Sequence, residues 1–496
     1  MATDLSHVVR ASLEAARAGA EAARAGFESA RVAFRTAMAP AVPQRTRGYQ
    51  GARGQGGRNR GWLANNDDAN TILHMDNRTL RARARDLTRN NHHASGAVEK
   101  FVTECVGTGI RPSCNTGDVE LDRRVDALWE RHAARTTAYQ QQFVAVWQVF
   151  EVGEVLMRRL PLRYGEAEVP VDYQLLEVDH LDESADGWVT DSSGKRVGKR
   201  ILGVHVDNGG RRRSYRLFRE HPGARLVGSG WEAVDVPAGD VAHVYRMTRP
   251  GQMRGVTRLA PVIQALADLG DGADAERVRR KLEACLFAFV IDGDPETDPS
   301  TAGVDGIAPA PGTDARGNPL ERFQPGMIAH LRGNKTIEKV QPATVGGYRE
   351  YKQTELEGVA SGLNMPYPLL TGDLTAVNFS SGRMGLIQFR SAIAVLQQHF
   401  LVPLLCVPQW QWFVDAAIVA GQIPDRDYPC DWTTPLPQEV DRGSAAKADA
   451  QEMANGTRSR TDIIRSTGRN PERVWAEMAR EAERLAELGL GPARRK

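Results

Sequence analysis

Residues 241–263 read VAHVYRMTRPGQMRGVTRLAPVI, and the chain changes character inside them. Val241 to Tyr245 has the β-branched and aromatic content of a strand. Arg249-Pro250-Gly251 is a turn signal, and Pro261 suits the first position of a helix that is expected to run to about Ala288. Upstream of this switch the pattern is strand-rich and downstream it is helical. The chain therefore reads as an α+β protein whose elements come in the order helices, strands, helices, loop, helices.

Working back from the switch, VDYQLLEV (171–178) and ILGVHV (201–206) read as strands. Asp207-Asn208-Gly209-Gly210 is a hairpin turn from which Tyr215-Arg216-Leu217-Phe218 returns. EVLMRRLPL, after Gly153, opens this section. Before it, residues 77–107 read as two helices broken near Asn90-Asn91, with Leu80, Ala84 and Leu87, then Ala97, Phe101 and Cys105, on their apolar faces. Helices from Leu121 to about Arg135 and from about Tyr139 to Phe150 follow.

Working forward, the helix from Pro261 can bend at Gly270 and Gly272. Residues 292–325 are rich in Gly, Pro and Asp and read as an exposed loop. A helix near Gly347 to Leu363 stops at Asn364-Met365-Pro366. The polar, small-residue stretch TGDLTAVNFSSGRMG (371–385) then feeds a helix whose stripe is Leu386, Phe389, Ile393, Leu396 and Phe400. Near the C-terminus Ser459-Arg460-Thr461-Asp462 resembles a capping box, and Trp475, Met478, Ala482 and Leu485 form a last amphipathic face.

A length of 496 residues leaves ample material for a buried core, and no run of about 18 apolar residues marks a membrane span. The N-terminus has no apolar signal region, so a soluble, unsecreted protein is expected. Five cysteines without a C-x-x-C spacing predict neither disulfides nor a zinc site. The formal net charge of +2 is unevenly placed. Residues 1–62 hold ten Arg against Asp4, Glu14, Glu21 and Glu28, which is +6, so the other 434 residues carry −4. Within this basic arm Glu14, Glu21 and Glu28, and Arg10, Arg17, Arg24 and Arg31, recur every seven residues over an Ala-rich seam. Residues 41–61 are a Gly/Arg-rich linker that can touch polyanions without sequence preference.

Chemical motifs are scarce. There is no GxxxxGK[ST] phosphate cradle, since Gly194-Lys195 is followed by Arg196, and neither GxSxG nor HExxH occurs. Glu177, Asp179, His180 and Asp182 are the best candidates for a metal-dependent enzyme, because carboxylates and imidazole can share a cation. Strand alternation divides them between two faces, and a strand end entering a polar turn explains them equally well. Arg246, Arg249, Arg254 and Arg258 lie in the loop of the opening stretch, as candidates for contact with phosphates or with a neighbouring subunit's acids. Trp410 and Trp412 sit in an apolar helix and read as core. A nucleic-acid-binding protein driven by the basic arm is a third reading.

The ordered segments NRTLRARARDLTRNNHHASGAVEKFVTECVGTGIRP, LDRRVDALWERHAAR, VFEVGEVLMRR, QLLEVDHLD, YRLFREHPG, the opening stretch itself and LNMPYPLLTGDLTAVNFSSGRMGLIQFR together resemble the lambda-type portal protein family of tailed phages. Their order and spacing over about residues 60–440 carry the likeness. The resemblance implies a ring, typically of twelve copies, at one capsid vertex, with no catalytic site, metal or cofactor. Such a ring is the channel through which the packaging motor, the terminase large subunit, drives double-stranded DNA. It also nucleates shell assembly with the major capsid and scaffold proteins, and later holds head-to-tail connector proteins. A virion location, reached from the host cytoplasm during assembly, and no membrane partner are implied.

The family divides each subunit into wing, stem, clip and crown. Carried over, 1–62 is the basic arm, 63–165 and 290–402 are wing, 166–245 is a strand-rich clip, 246–289 is the stem helix and 403–496 is a helical crown. Residues 371–385 resemble the tunnel loop that projects into the bore, with Gly372, Thr375, Asn378, Ser380, Ser381 and Gly382 facing DNA. Small residues there permit movement, and weak polar contacts suit a conduit, because every strong phosphate contact is a barrier to sliding.

Overall fold

The computed structural model describes residues 17–26, 66–224, 232–284, 288–292, 335–339, 347–375, 377–435, 442–467, 469 and 471–489. The chain divides into two units, residues 1–66 and 67–496. In the first, residues 17–26 form an exposed helix, α1. The rest of the heptad segment, the Gly/Arg linker, Cys285 and nearly all of the 292–325 stretch lie outside the described residues.

The second unit begins with α2 (Ala69–Asn90) and α3 (His92–Val106). They break where the sequence placed the junction. The Asn91 side chain accepts from the backbone N–H groups of His93 and Ala94, capping α3, and its amide donates to the Leu266 carbonyl. Strand β1 (Arg111–Cys114), α4 (Val119–Thr136) and α5 (Ala138–Glu151) follow. β1 pairs antiparallel with β12 (Cys430–Thr433), setting Cys114 opposite Cys430, and both thiols are free, as are Cys105 and Cys406.

β2 (Glu154–Pro161) is the centre of a three-stranded sheet, flanked by β3 (Val171–Leu176) and β9 (Val241–Tyr245). This sheet straddles the 165/166 boundary expected between wing and clip, because the hydrogen-bonded partners of β2 come from the later segment. Its two faces serve two cores. Val155, Met157, Ala242 and Val244 join the large helical core, whereas Leu156, Leu176 and Val241 join a second core with the five-stranded sheet. That is why all five residues of β9 are buried.

The five-stranded antiparallel sheet comprises β4 (Gly187–Thr190), β5 (Arg196–Ile201), β6 (Val204–Asp207), β7 (Arg212–Phe218) and β8 (Ala233–Pro237), in that order. The Asp207–Gly210 hairpin joins β6 to β7 as expected. The stretch 201–206 is not one strand, because Leu202 and Gly203 turn at φ 51° and 83° and separate β5 from β6.

After β9, residues 246–262 pack as irregular chain, and the expected stem helix is shorter than the sequence implied: α6 spans Ile263–Ala284. A hairpin of β10 (Ala288–Asp292) with β11 (Lys335–Lys339), α7 (Tyr348–Gly362) and α8 (Tyr367–Thr371) come next. Helix α9 (Phe379–Leu396) runs through a π-helical segment, Gln397–Cys406, into α10 (Val407–Val419). Pro403, which has no N–H to donate and would clash in an α-helical ladder, lies inside the π segment. Residues Ser380–Val419 are long and apolar enough to cross a membrane, against the expectation from sequence. Here Phe389, Ile393, Leu401, Leu405, Trp410 and Phe413 are buried in the main core.

Trp410 and Trp412 are core residues. Trp410 packs 5.5 Å from Trp129 and donates to the Tyr428 carbonyl, while Trp412 donates to the Gly239 carbonyl. The C-terminal helices are α11 (Arg442–Ala454), α12 (Arg460–Ser466) and α13 (Pro471–Glu487). Ser459 and Asp462 close the capping box reciprocally at the start of α12. On α13, Trp475 and Met478 are exposed.

Candidate functional site

The four loop arginines separate into different environments. Arg246 is exposed. Arg249 donates to the Asp67 carbonyl at 3.0 Å. Arg254 is fully buried and Arg258 mostly so. Arg254 is turned into the interior of its own chain. Its Nε donates to both carboxylate oxygens of Glu154, at 3.0 and 3.1 Å, and its Nη1 to the Leu202 carbonyl at 3.0 Å.

Glu154, the first residue of β2, is the acceptor of a closed ionic hub. It also accepts from the Gly255 backbone N–H at 2.8 Å and from His243 Nε2 at 2.8 Å. Burial acts to raise its carboxyl, but Arg254, His243 and the Gly255 amide outweigh this and hold it at about 2. Since a carboxylate only accepts, His243 donates from Nε2. Burial holds that imidazole down to about 4, against the pull of Glu154, so it is neutral near pH 7. Gly153, at φ 98°, and Gly255 make the approach possible: a Cβ on Gly255 would sit 2.1 Å from the Gly153 carbonyl oxygen.

A second tier extends the hub to the helices. Arg81 of α2 pairs with Glu183 at 2.9 Å, and Arg254 lies 3.0 Å from the same carboxylate. Arg85, one turn on, donates to both Glu177 and Asp179. The enzyme candidates are thereby dispersed. Val178–His180 is a single 3-10 turn. In it Glu177 and Asp179 face Arg85, His180 Nδ1 lies 3.0 Å from the Phe218 carbonyl, and Asp182 takes Arg216 at 3.2 Å. His221, not His180, completes a trio with Glu177 and Asp179. The guanidinium of Arg85 sits between those two acids and makes an ionic tie between α2 and the sheet region. The sequence reading missed Arg81, Glu154, Glu183 and His243. The available signal was a charged or polar residue set into an apolar strand, as in the first position of EVLM and the third of VAHVY.

The polar stretch at 371–385 is shorter as a loop than expected, because α9 begins at Phe379. Gly372 ends α8 in the left-handed region at φ 76°. Asp373 Oδ1 accepts from the backbone N–H and hydroxyl of Thr375, an Asx turn. Asn378 caps α9, accepting from the Ser381 N–H at 2.8 Å, while the Ser381 hydroxyl donates back to the Asn378 carbonyl. Ser380, Ser381 and Gly382 thus belong to the first helical turn. Leu374 at the tip is 69% exposed. From 371 to 382 the only ionisable side chain is Asp373, and the exposed Arg383 follows on the first turns of α9. The ends of the segment are pinned to α3: Lys100 Nζ donates to the Leu370 carbonyl at 3.1 Å, and Arg390 to Glu104 at 3.4 Å.

The chain is similar to a probable portal protein of Halomonas phage phiHAP-1, with 26% identity over 91% of this chain and 90% of that protein. It is also similar to portal protein B of Escherichia phage lambda, with 22% identity over 68% of each. Among solved structures it resembles a chain from the neck of an empty gene transfer agent particle, with 14% identity over 80% of this chain and 94% of that one, at a TM-score of 0.43. Residues 55–397 match the model of the phage portal protein, lambda family. That span holds the ionic hub, both sheets, the loop arginines and the capped polar loop, and by it the chain belongs to the lambda family of phage portal proteins.

Proposed function

We propose that copies of this chain close into a ring, of about twelve subunits by family resemblance, that serves as a double-stranded DNA channel at one capsid vertex. The observation that carries this reading is the family match over residues 55–397. In this reading the ring nucleates shell assembly with scaffold and major capsid proteins. It then docks the packaging motor, the terminase large subunit, and afterwards the head-to-tail connectors.

Residues 166–245, with the five-stranded sheet, are the part offered to the motor as clip, 246–289 with α6 are stem, 63–165 and 290–402 are wing, and 403–496 with α10 to α13 are crown. The loop from Gly372 to Asn378 faces the bore. A capped, cation-free loop held at both ends suits that place, since it meets passing phosphates without holding them. The chain acts as a structural conduit and carries out no chemistry of its own.

A photo-crosslinking side chain at Thr375, in particles stalled during packaging, is expected to label DNA, while one at Val119, exposed on α4, does not. Equal labelling from both positions, or labelling from Val119 alone, would remove the loop from the bore.

A further inference from the structure

Between α3, the 246–258 loop, the turn after α7 and α9 lies a pocket of about 590 Å³. Phe101, Phe389, Ile393, Leu396 and Phe400 wall it. Two cations open onto it, Arg246 and Arg258, and no carboxylate is among its lining residues.

Arg258 is an unusual arginine. Its guanidinium lies 4.7 Å from the centre of the Phe101 ring and 5.7 Å from that of Phe150. Among the described residues its guanidinium makes one hydrogen bond, from Nη2 to the Leu363 carbonyl at 3.3 Å, and Nε has no partner. Burial, and after it the charge of Arg246, hold its pKa down to about 10; the Cys105 thiol acts in the other direction and no carboxylate does. The fully buried arginines Arg81 and Arg254 each have a carboxylate, and the largely buried Arg212 donates to the hydroxyls of Tyr215 and Tyr245. A guanidinium removed from water without a counter-ion is costly, and its planar fork matches a carboxylate.

The mouth of the pocket says what kind of body brings that carboxylate. Val395 lines the pocket and is 54% exposed, and along the same helix Met384 and Ile387 are 66% and 55% exposed. The socket thus continues into an apolar stripe on the outside of α9. A DNA backbone would bring hydrated phosphates to an oily wall. A protein surface covers the stripe and supplies the acid together.

We propose that this pocket is an inter-subunit socket, in which an Asp or Glu side chain of a neighbouring copy pairs with Arg258 while the surface around it covers Val395, Ile387 and Met384. The inference rests on the ring reading and assigns the pocket as one of the ring's contacts.

The test uses the full chain, as separated monomer and assembled ring, with phenylglyoxal as an arginine probe and peptide mass spectrometry as readout. Arg258 is expected to be modified in the monomer and protected in the ring. Arg258→Met is expected to leave the monomer's thermal midpoint unchanged or raised, since a buried unpaired charge gives way to an apolar side chain, and to raise the concentration needed for assembly about tenfold or more. Arg258→Lys should fall between. The proposal is overturned if rings assemble with Arg258 as reactive as in the monomer, if Arg258→Met assembles like the unsubstituted chain, or if inorganic phosphate or duplex DNA alone protects Arg258 in the monomer. A chain that forms no ring under any condition contradicts the ring reading itself, whereas a ring with a reactive Arg258 contradicts only the socket.

Discussion

Glu154 has more consequences for this molecule than any single residue the sequence singled out. It accepts four hydrogen bonds from three residues that arrive from β9 and from the segment before α6. Glu154→Ala leaves Arg254 and His243 buried without their acceptor, and is expected to cost about 3–5 kcal/mol in chemical denaturation. A loss below 1 kcal/mol would mean that the hub does not hold the sheet to the loop. Acid should weaken the fold in two stages. Burial holds His132, His93 and His243 at about 3, 4 and 4, so the unfolded chain takes up their protons first. Stability is complete above about pH 6.5, the ordinary histidine value, and falls as pH drops toward 4; Glu154 adds a further loss from about 4.5 toward 2. His132 illustrates the mechanism: Tyr173 gives its hydroxyl proton to the Gln409 carbonyl, so His132 donates from Nε2 and its buried Nδ1 has no partner when protonated. Thermal midpoints that stay flat from pH 7 to 4.5 would refute this. None of it was legible from residue type, because nothing in a linear pattern distinguishes Arg254, paired inside, from Arg246, which is exposed.

At the scale of elements the sequence was more informative, and the reason is local. The Asn91 junction, the Asp207–Gly210 hairpin and the Ser459–Asp462 box are each set by side chains that bond their own backbone neighbourhood. The errors fall where packing decides. Leu202 adopts a positive φ to turn between β5 and β6, and the chain after β9 stays irregular because Gly255 must lie against Gly153. Gly255→Ala should accordingly destabilise strongly, and Asn378→Ala, which removes only the α9 cap, by about 1 kcal/mol. Hydrogen exchange checks the loop: amides from Asp373 to Val377 are expected to exchange far faster than those of buried α9 turns around Ile393. Protection of the loop equal to that of α9 in the isolated subunit would contradict its proposed place as a yielding element.

For the whole molecule, the split of charge into +6 and −4 suits the proposed conduit, an acidic body beside a basic arm. The fold class was readable from the alternation of helical and strand periods. The segment 371–385 was readable as polar chain feeding a helix, but its helical half and its anchors on α3 were not, since they depend on residues far away in sequence. The ring is the claim on which the rest depends. Electron microscopy of the purified full chain tests it most directly: the account predicts closed rings with a central opening, near twelve subunits of 54.4 kDa each. Monomers or dimers alone, across every concentration and salt condition tried, would contradict it.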